Sequence, residues 1–144
     1  MTTPVATSRR RMLSGKCLCG AVHYAVADEF RYALNCHCSD CRRATGSAFK
    51  PFAGIERAKL ELTQGKERVF VFGDEQANHD VHCGVCGSLL FSVVQGGASV
   101  HVTLGSLVDE PTMRPTAHIF VGDKAPWFTI TDALPHYEGH ETPK

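Results

Sequence analysis

The chain has 144 residues, 43% of them apolar and 21% charged, the make-up of a globular domain large enough to bury a core without staples. Its formal net charge is zero with histidine neutral, so no global positive field exists to hold nucleic acid or an anionic membrane. No apolar run approaches the roughly 20 residues of a membrane helix, and the start, MTTPVATSRRRML, lacks the apolar stretch of a secretory signal, so a cytoplasmic location with reduced thiols is expected.

In chain order, residues 1–12 read as a flexible tail whose one local feature is Arg9-Arg10-Arg11. Residues 13–144 read as a single domain. Residues 21–27 (AVHYAVA) mix β-branched, aromatic and small side chains as a strand does. Three thiols follow within six residues, in Cys36-His37-Cys38-Ser39-Asp40-Cys41. The only helical signal is a short segment at 40–45, capped by Ser39 and stopped by Gly46. Residues 66–72 (KERVFVF) predict a strand closed by Gly73-Asp74. Residues 88–94 (SLLFSVV) and 98–104 (ASVHVTL) predict a hairpin turning on Gly96-Gly97. Residues 127–130 (WFTI) predict a last strand after Pro126. Short strands broken by Gly and Pro point to a mostly β, antiparallel domain.

The seven cysteines are grouped as Cys17-x-Cys19, Cys36-x-Cys38-x-x-Cys41 and Cys83-x-x-Cys86. An odd number leaves one thiol over in any intrachain disulfide scheme, whereas close spacing lets neighbouring thiolates converge on one ion. A closed structural zinc takes four ligands, and a catalytic zinc takes three and keeps one position open. Seven therefore divides as four and three: Cys17, Cys19, Cys83 and Cys86 closed, and Cys36, Cys38 and Cys41 open. Counting also permits a mixed set such as Cys36, Cys38, Cys83 and Cys86, or a histidine (His79, His82 or His118) closing the triple site. His37 is held too tightly by its neighbours to join them.

Three thiolates leave a zinc centre one unit negative and weaken it as a Lewis acid, so activating water suits it less than binding a thiol. A thiol in the fourth place would stay deprotonated and nucleophilic. Arg42 and Arg43 follow Cys41 directly and suit either a solvated surface or the grip of a substrate carboxylate, and Lys50 lies a little further on.

Four stretches together resemble the glutathione-dependent formaldehyde-activating enzyme family, also called the centromere-protein-V-type domain. They are Gly15-Lys16-Cys17-Leu18-Cys19-Gly20-Ala21-Val22-His23-Tyr24; Asn35-Cys36-His37-Cys38-Ser39-Asp40-Cys41-Arg42-Arg43 with Gly46; Cys83-Gly84-Val85-Cys86-Gly87-Ser88; and His118-Ile119-Phe120 with Trp127. The resemblance implies a β-tent fold and two zinc ions per chain, with Cys17, Cys19, Cys83 and Cys86 structural and Cys36, Cys38 and Cys41 at the catalytic ion. It implies a carbon–sulfur lyase-type activity that joins glutathione to formaldehyde to give S-hydroxymethylglutathione. The partners are then a small thiol and a small aldehyde, not nucleic acid or a membrane. One departure is His82, where the family often has an aromatic residue. Rival readings are a thiol carrier without catalysis, an interaction module with two structural zincs, and the same site serving another thiol or electrophile.

Overall fold

The computed structural model describes residues 10–141. Its strands are β1 (Met12–Lys16), β2 (His23–Ala27), β3 (Tyr32–Cys36), β4 (Lys50–Glu56), β5 (Leu60–Gln64), β6 (Val69–Gly73), β7 (His79–Cys83), β8 (Leu89–Val94), β9 (Ser99–Thr103) and β10 (His118–Ile119). The single α-helix among the described residues, α1 (Ser39–Thr45), lies between β3 and β4 and is far too short to cross a membrane. A small sheet has the order β1-β2-β5, and a large one β10-β3-β4-β9-β8-β7-β6. All pairings are antiparallel except β10 with β3. The expectation of a mostly β, antiparallel fold with little helix holds.

Period-two alternation decides which side chains meet between the sheets. The small sheet contributes Leu13, Tyr24 and Val26, and the large one Ala33, Ala53, Ile55, Val81, Val93, Val100 and Val102, all buried in one cluster. Each large apolar side chain sealed here stabilises by about 1.5–3 kcal/mol relative to exposure. Tyr24 is 1% exposed, meets Phe91 edge-on at 6.1 Å, and its hydroxyl lies 2.7 Å from Ser106 Oγ. Its ring lies over Gly15, its partner across β1 and β2, where an added Cβ would stand 2.1 Å from the ring. Leu34, Cys36 and Phe52 point to the other face of the large sheet and form a second cluster with Ala117 and Ile119.

Most of the expected tail lies outside the described residues. Where it enters the structure, Arg10 pairs with Glu29 at 2.9 Å, Arg11 pairs with Asp28 at 2.8 Å, and Met12 opens β1. The first three residues of KERVFVF form a 3-10 turn, so β6 begins at Val69. The β8–β9 turn is longer than a two-residue loop: Val94 pairs with Ser99, and Gln95, Gly96 and Gly97 all have positive φ. The stretch 127–130 is not a strand. Trp127 is 71% exposed, while Phe128 packs 5.5 Å from Phe49 and 6.2 Å from His37, so its apolar residues serve a loop contact and not a sheet. The helix is as short as expected, but its N-cap is Cys38, whose sulfur accepts the Cys41 N–H, and not Ser39. Gly46 closes it at φ 63°, in the left-handed region that glycine enters at no cost.

Candidate metal centres

The four thiols of Cys17, Cys19, Cys83 and Cys86 meet where the β1–β2 hairpin touches the β7–β8 hairpin, with all their sulfurs within 4.8 Å of one another. Two turns of the same kind bring them in. Cys17 N–H donates to Val22 C=O and Cys83 N–H to Ser88 C=O, each closing a six-residue turn. Within the turns Val22 N–H points at Cys17 Sγ (3.3 Å), and the amides of Val85 and Cys86 point at Cys83 Sγ (3.3 and 3.4 Å). Leu18 N–H donates to Ser88 Oγ, which ties one turn to the other. Sulfurs 2.3 Å from a tetrahedral zinc stand about 3.8 Å apart. Cys17 and Cys19 are 3.7 Å apart and Cys19 and Cys83 3.8 Å, so the donor set already has the spacing such an ion needs.

The charge balance fits as well. The Ser88 hydroxyl and amide beside Cys86 pull its thiol down to about 5. The Ala21 amide draws the Cys19 thiol down, but burial and the three neighbouring thiols outweigh it and leave Cys19 near 11. Four such groups deprotonate together only with a cation among them.

Cys36, Cys38 and Cys41 form the second cluster, also within 4.8 Å. Cys36 ends β3, Cys38 caps α1 and Cys41 lies in its first turn. The strand runs straight into the helix, and the cap geometry holds Cys41 N–H on Cys38 Sγ at 3.3 Å. Cys36 and its burial push the Cys41 thiol well above its ordinary value, and Lys50 acts against them. Burial likewise raises Cys38. A divalent ion would relieve this crowding. The two clusters can therefore hold metal ions, in the four-and-three grouping of the sequence and not in the mixed one.

No histidine joins either group among the described residues. His79 Nδ1 bonds to Asp74 C=O, and His82 Nδ1 to Gly87 C=O beside the Phe70 ring. His37 alternates away from its flanking thiols, is fully buried, and lies 2.8 Å from His118 through Nε2 and Nδ1. His118 Nε2 is 2.9 Å from Asp132 Oδ2. The carboxylate accepts the Nε2–H, so His118 Nδ1 is left to accept from His37 Nε2–H. His37 Nδ1 is then a buried lone pair without a partner. Burial, with His118 close by, lowers His37 to about 4, in keeping with a neutral ring. This chain joins residues 81 positions apart, and sequence spacing gave no sign of it.

Arg42 is half-buried and Arg43 exposed. Arg42 Nε is buried without a hydrogen-bond partner, and among the described residues neither guanidinium pairs with a carboxylate. Lys50, opposite Cys36 in the β3–β4 register, is only 6% exposed. Its ammonium donates to Ser92 Oγ at 3.3 Å, and the Ser92 hydroxyl donates to Asp80 Oδ1 at 2.6 Å. The burial of Lys50 was not legible in the sequence, because β9 and β8 lie between β4 and this carboxylate on β7.

A cleft of about 650 Å³ borders Cys17 and Cys86 of the four-thiol cluster and Ala44 and Thr45 at the far end of α1. A smaller cavity of about 390 Å³ is lined by Tyr32, His101, Leu34, Phe52 and Ile119. The last three belong to the apolar cluster that contains Cys36.

The sequence profile of the glutathione-dependent formaldehyde-activating enzyme family matches residues 12–123, most of the chain. The chain belongs to this family. The glutathione-dependent formaldehyde-activating enzyme match spans both cysteine clusters and all ten strands. A Halomonas elongata protein provisionally named as a member of the same family is 25% identical over 127 residues, covering 83% of this chain and 81% of its own. A crystal structure of a Rhodobacter sphaeroides protein, 24% identical, superposes with a TM-score of 0.55 over 71% of this chain and 97% of its own, which is a likeness of fold.

Proposed function

We propose that the chain is a carbon–sulfur lyase-type enzyme that joins a small thiol, glutathione by family, to formaldehyde, with zinc in both thiol clusters. The observation that carries this reading is the unequal donor count: four thiols converge at one cluster, three at the other, and no fourth donor from the described residues stands beside the three. Bound by Cys36, Cys38 and Cys41, zinc would supply a Lewis-acidic ion with room for one more ligand, which favours the deprotonated form of a thiol bound there. The four-thiol cluster has no such position, so its large neighbouring cleft is not the reaction site in this reading.

The chain's own residues do the rest. The smaller cavity beside Leu34, Phe52 and Ile119 receives the body of the thiol substrate. Arg42, with a buried and unpartnered Nε, pairs with a substrate carboxylate. Lys50 adds a fixed positive charge on the side of Cys36. With thiol and aldehyde held together, part of the barrier is removed by positioning. The sulfur–carbon bond forms as the carbonyl π bond breaks, the thiol proton leaves to solvent, and the new alkoxide takes a proton from water. A reducing compartment such as the cytoplasm would keep the seven thiols available to metal, and this reading assigns the protein there.

Initial rates of S-hydroxymethylglutathione formation at low glutathione, with and without protein, test the reading. Acceleration abolished by Cys38→Ser supports it. Glutathione binding without acceleration would make the protein a thiol carrier, and neither binding nor acceleration would leave a module with two structural metals.

A further inference from the structure

The two sheets have four outer edges, and three are protected. The β1 edge is covered by the segment after β9, where Val108 N–H donates to Ser14 C=O and Asp109 accepts the Ser14 N–H. The two-residue β10 is bridged by His136, with His118 N–H donating to Pro135 C=O and Tyr137 N–H to His118 C=O. β5 carries Glu61, Thr63 and Gln64, all exposed. β6 has none of the charges, prolines or bulges that usually guard an edge: its residues are Val69, Phe70, Val71, Phe72 and Gly73. Phe70 is 56% and Phe72 67% exposed, both on the outer face of the sheet. Among the described residues no strand pairs with its free side.

The pattern of this edge selects a partner. Gly84 N–H donates to Arg68 C=O and Asp74 N–H to Asn78 C=O, so the even-numbered residues bond inward to β7. By alternation Val69, Val71 and Gly73 present their N–H and C=O outward. We propose that β6 pairs edge to edge with β6 of a second copy of this chain, antiparallel, about a two-fold axis at Val71. In that register Val71 exchanges both hydrogen bonds with its own counterpart, and Val69 does so with Gly73 of the other copy. Phe70 then lies opposite Phe72 of the other copy at the closer, non-hydrogen-bonded positions. Arg68 lies opposite Asp74 of the other copy at both ends, so the strand is complementary to itself in hydrogen bonding, aromatic contact and charge. Glu67 and Glu75, the next like-charged pair, lie in turns beyond the ladder. The present contact of Arg68, Glu67 at 3.7 Å, is solvent-exposed and holds it weakly. Pairing uses both free edges, so the assembly stops at two copies. This inference is independent of the activity proposed above, since the three-thiol cluster lies near the opposite edge of the sheet.

Sedimentation of the full chain over a range of concentrations tests it, with thermal unfolding as the check that each variant folds. The expected species has twice the 15.7 kDa of the chain. Arg68→Asp and Asp74→Arg should each raise the dimer dissociation constant about tenfold or more, and an equimolar mixture of the two should restore dimers, because every facing pair is then opposite in charge. Phe70→Lys, which leaves the Asp74 turn intact, should weaken pairing further, by about a hundredfold. A monomer at every concentration, a dimer indifferent to these changes, or open-ended polymers would each overturn the proposal.

Discussion

The two thiol clusters are built from the same side chain and differ in what they connect. The four-thiol cluster joins turns more than sixty positions apart and fastens the small sheet to the large one, with Cys17 and Cys83 inside the main core at 2% and 1% exposure. The three-thiol cluster is gathered from residues 36–41 alone, on the outer face, where Cys38 and Cys41 are only half-buried. A long-range site that closes its donor set acts on folding. A local site that leaves its set short can lose its ion without opening the core. In the proposed reading, ligand count and sequence span together are what set a structural metal apart from a working one.

The largest expected effect attacks the long-range cluster. Cys83→Ser removes a ligand from between the sheets and should cost roughly 4 kcal/mol or more, a large share of a domain's stability, lowering the melting point by about ten degrees or more as read by circular dichroism. Next comes Cys38→Ser. Serine is a good helix N-cap, so α1 keeps its start and the melting point should move by only a few degrees, while one metal equivalent is lost and activity falls at least about a hundredfold. Equal damage from the two substitutions would erase the distinction between the clusters.

A smaller effect sharpens the working side. Arg42→Ala should raise the KM for a carboxylate-bearing thiol by about tenfold and leave that for an uncharged thiol nearly unchanged. Steady-state rates with the two thiols decide it, and an equal change for both would remove Arg42 from substrate recognition. The smallest effect is on pH dependence. Burial, and then Lys50, lowers His101 to about 4, and its Nε2 lies 2.8 Å from the Tyr32 hydroxyl. The folded state therefore disfavours the proton that the unfolded chain takes up below about 6.5. The stability held by neutral His101 is full above that value and is lost as the pH falls towards about 4, by up to about 2 kcal/mol after allowance for partial exposure. His101→Phe, which keeps the stack on Phe52, should flatten that part of a denaturation profile recorded between pH 7 and 4.

Much of this contrast was legible in the sequence because it is written in one residue type. The spacing of seven cysteines separates four from three, and glycine-bounded β runs give the fold class. What was hidden depended on neighbours across the sheet. The Phe128 and Trp127 stretch has strand composition but no strand partner. Cys38 displaces Ser39 as cap because the chain leaves β3 already turned into the helix. Lys50 reads as a surface lysine until Ser92 and Asp80 arrive from β8 and β7. The His37–His118–Asp132 chain needs β10 laid parallel to β3, a pairing no local pattern announces.

The unequal donor count is tested most directly by metal analysis joined to a thiol titration. Freshly prepared reduced protein, with cobalt in place of zinc, should hold two ions per chain. Added glutathione should change the visible spectrum of one ion only, and Cys38→Ser should abolish that change while the other ion stays bound. A single ion per chain, or two ions that both ignore the thiol, would contradict the account.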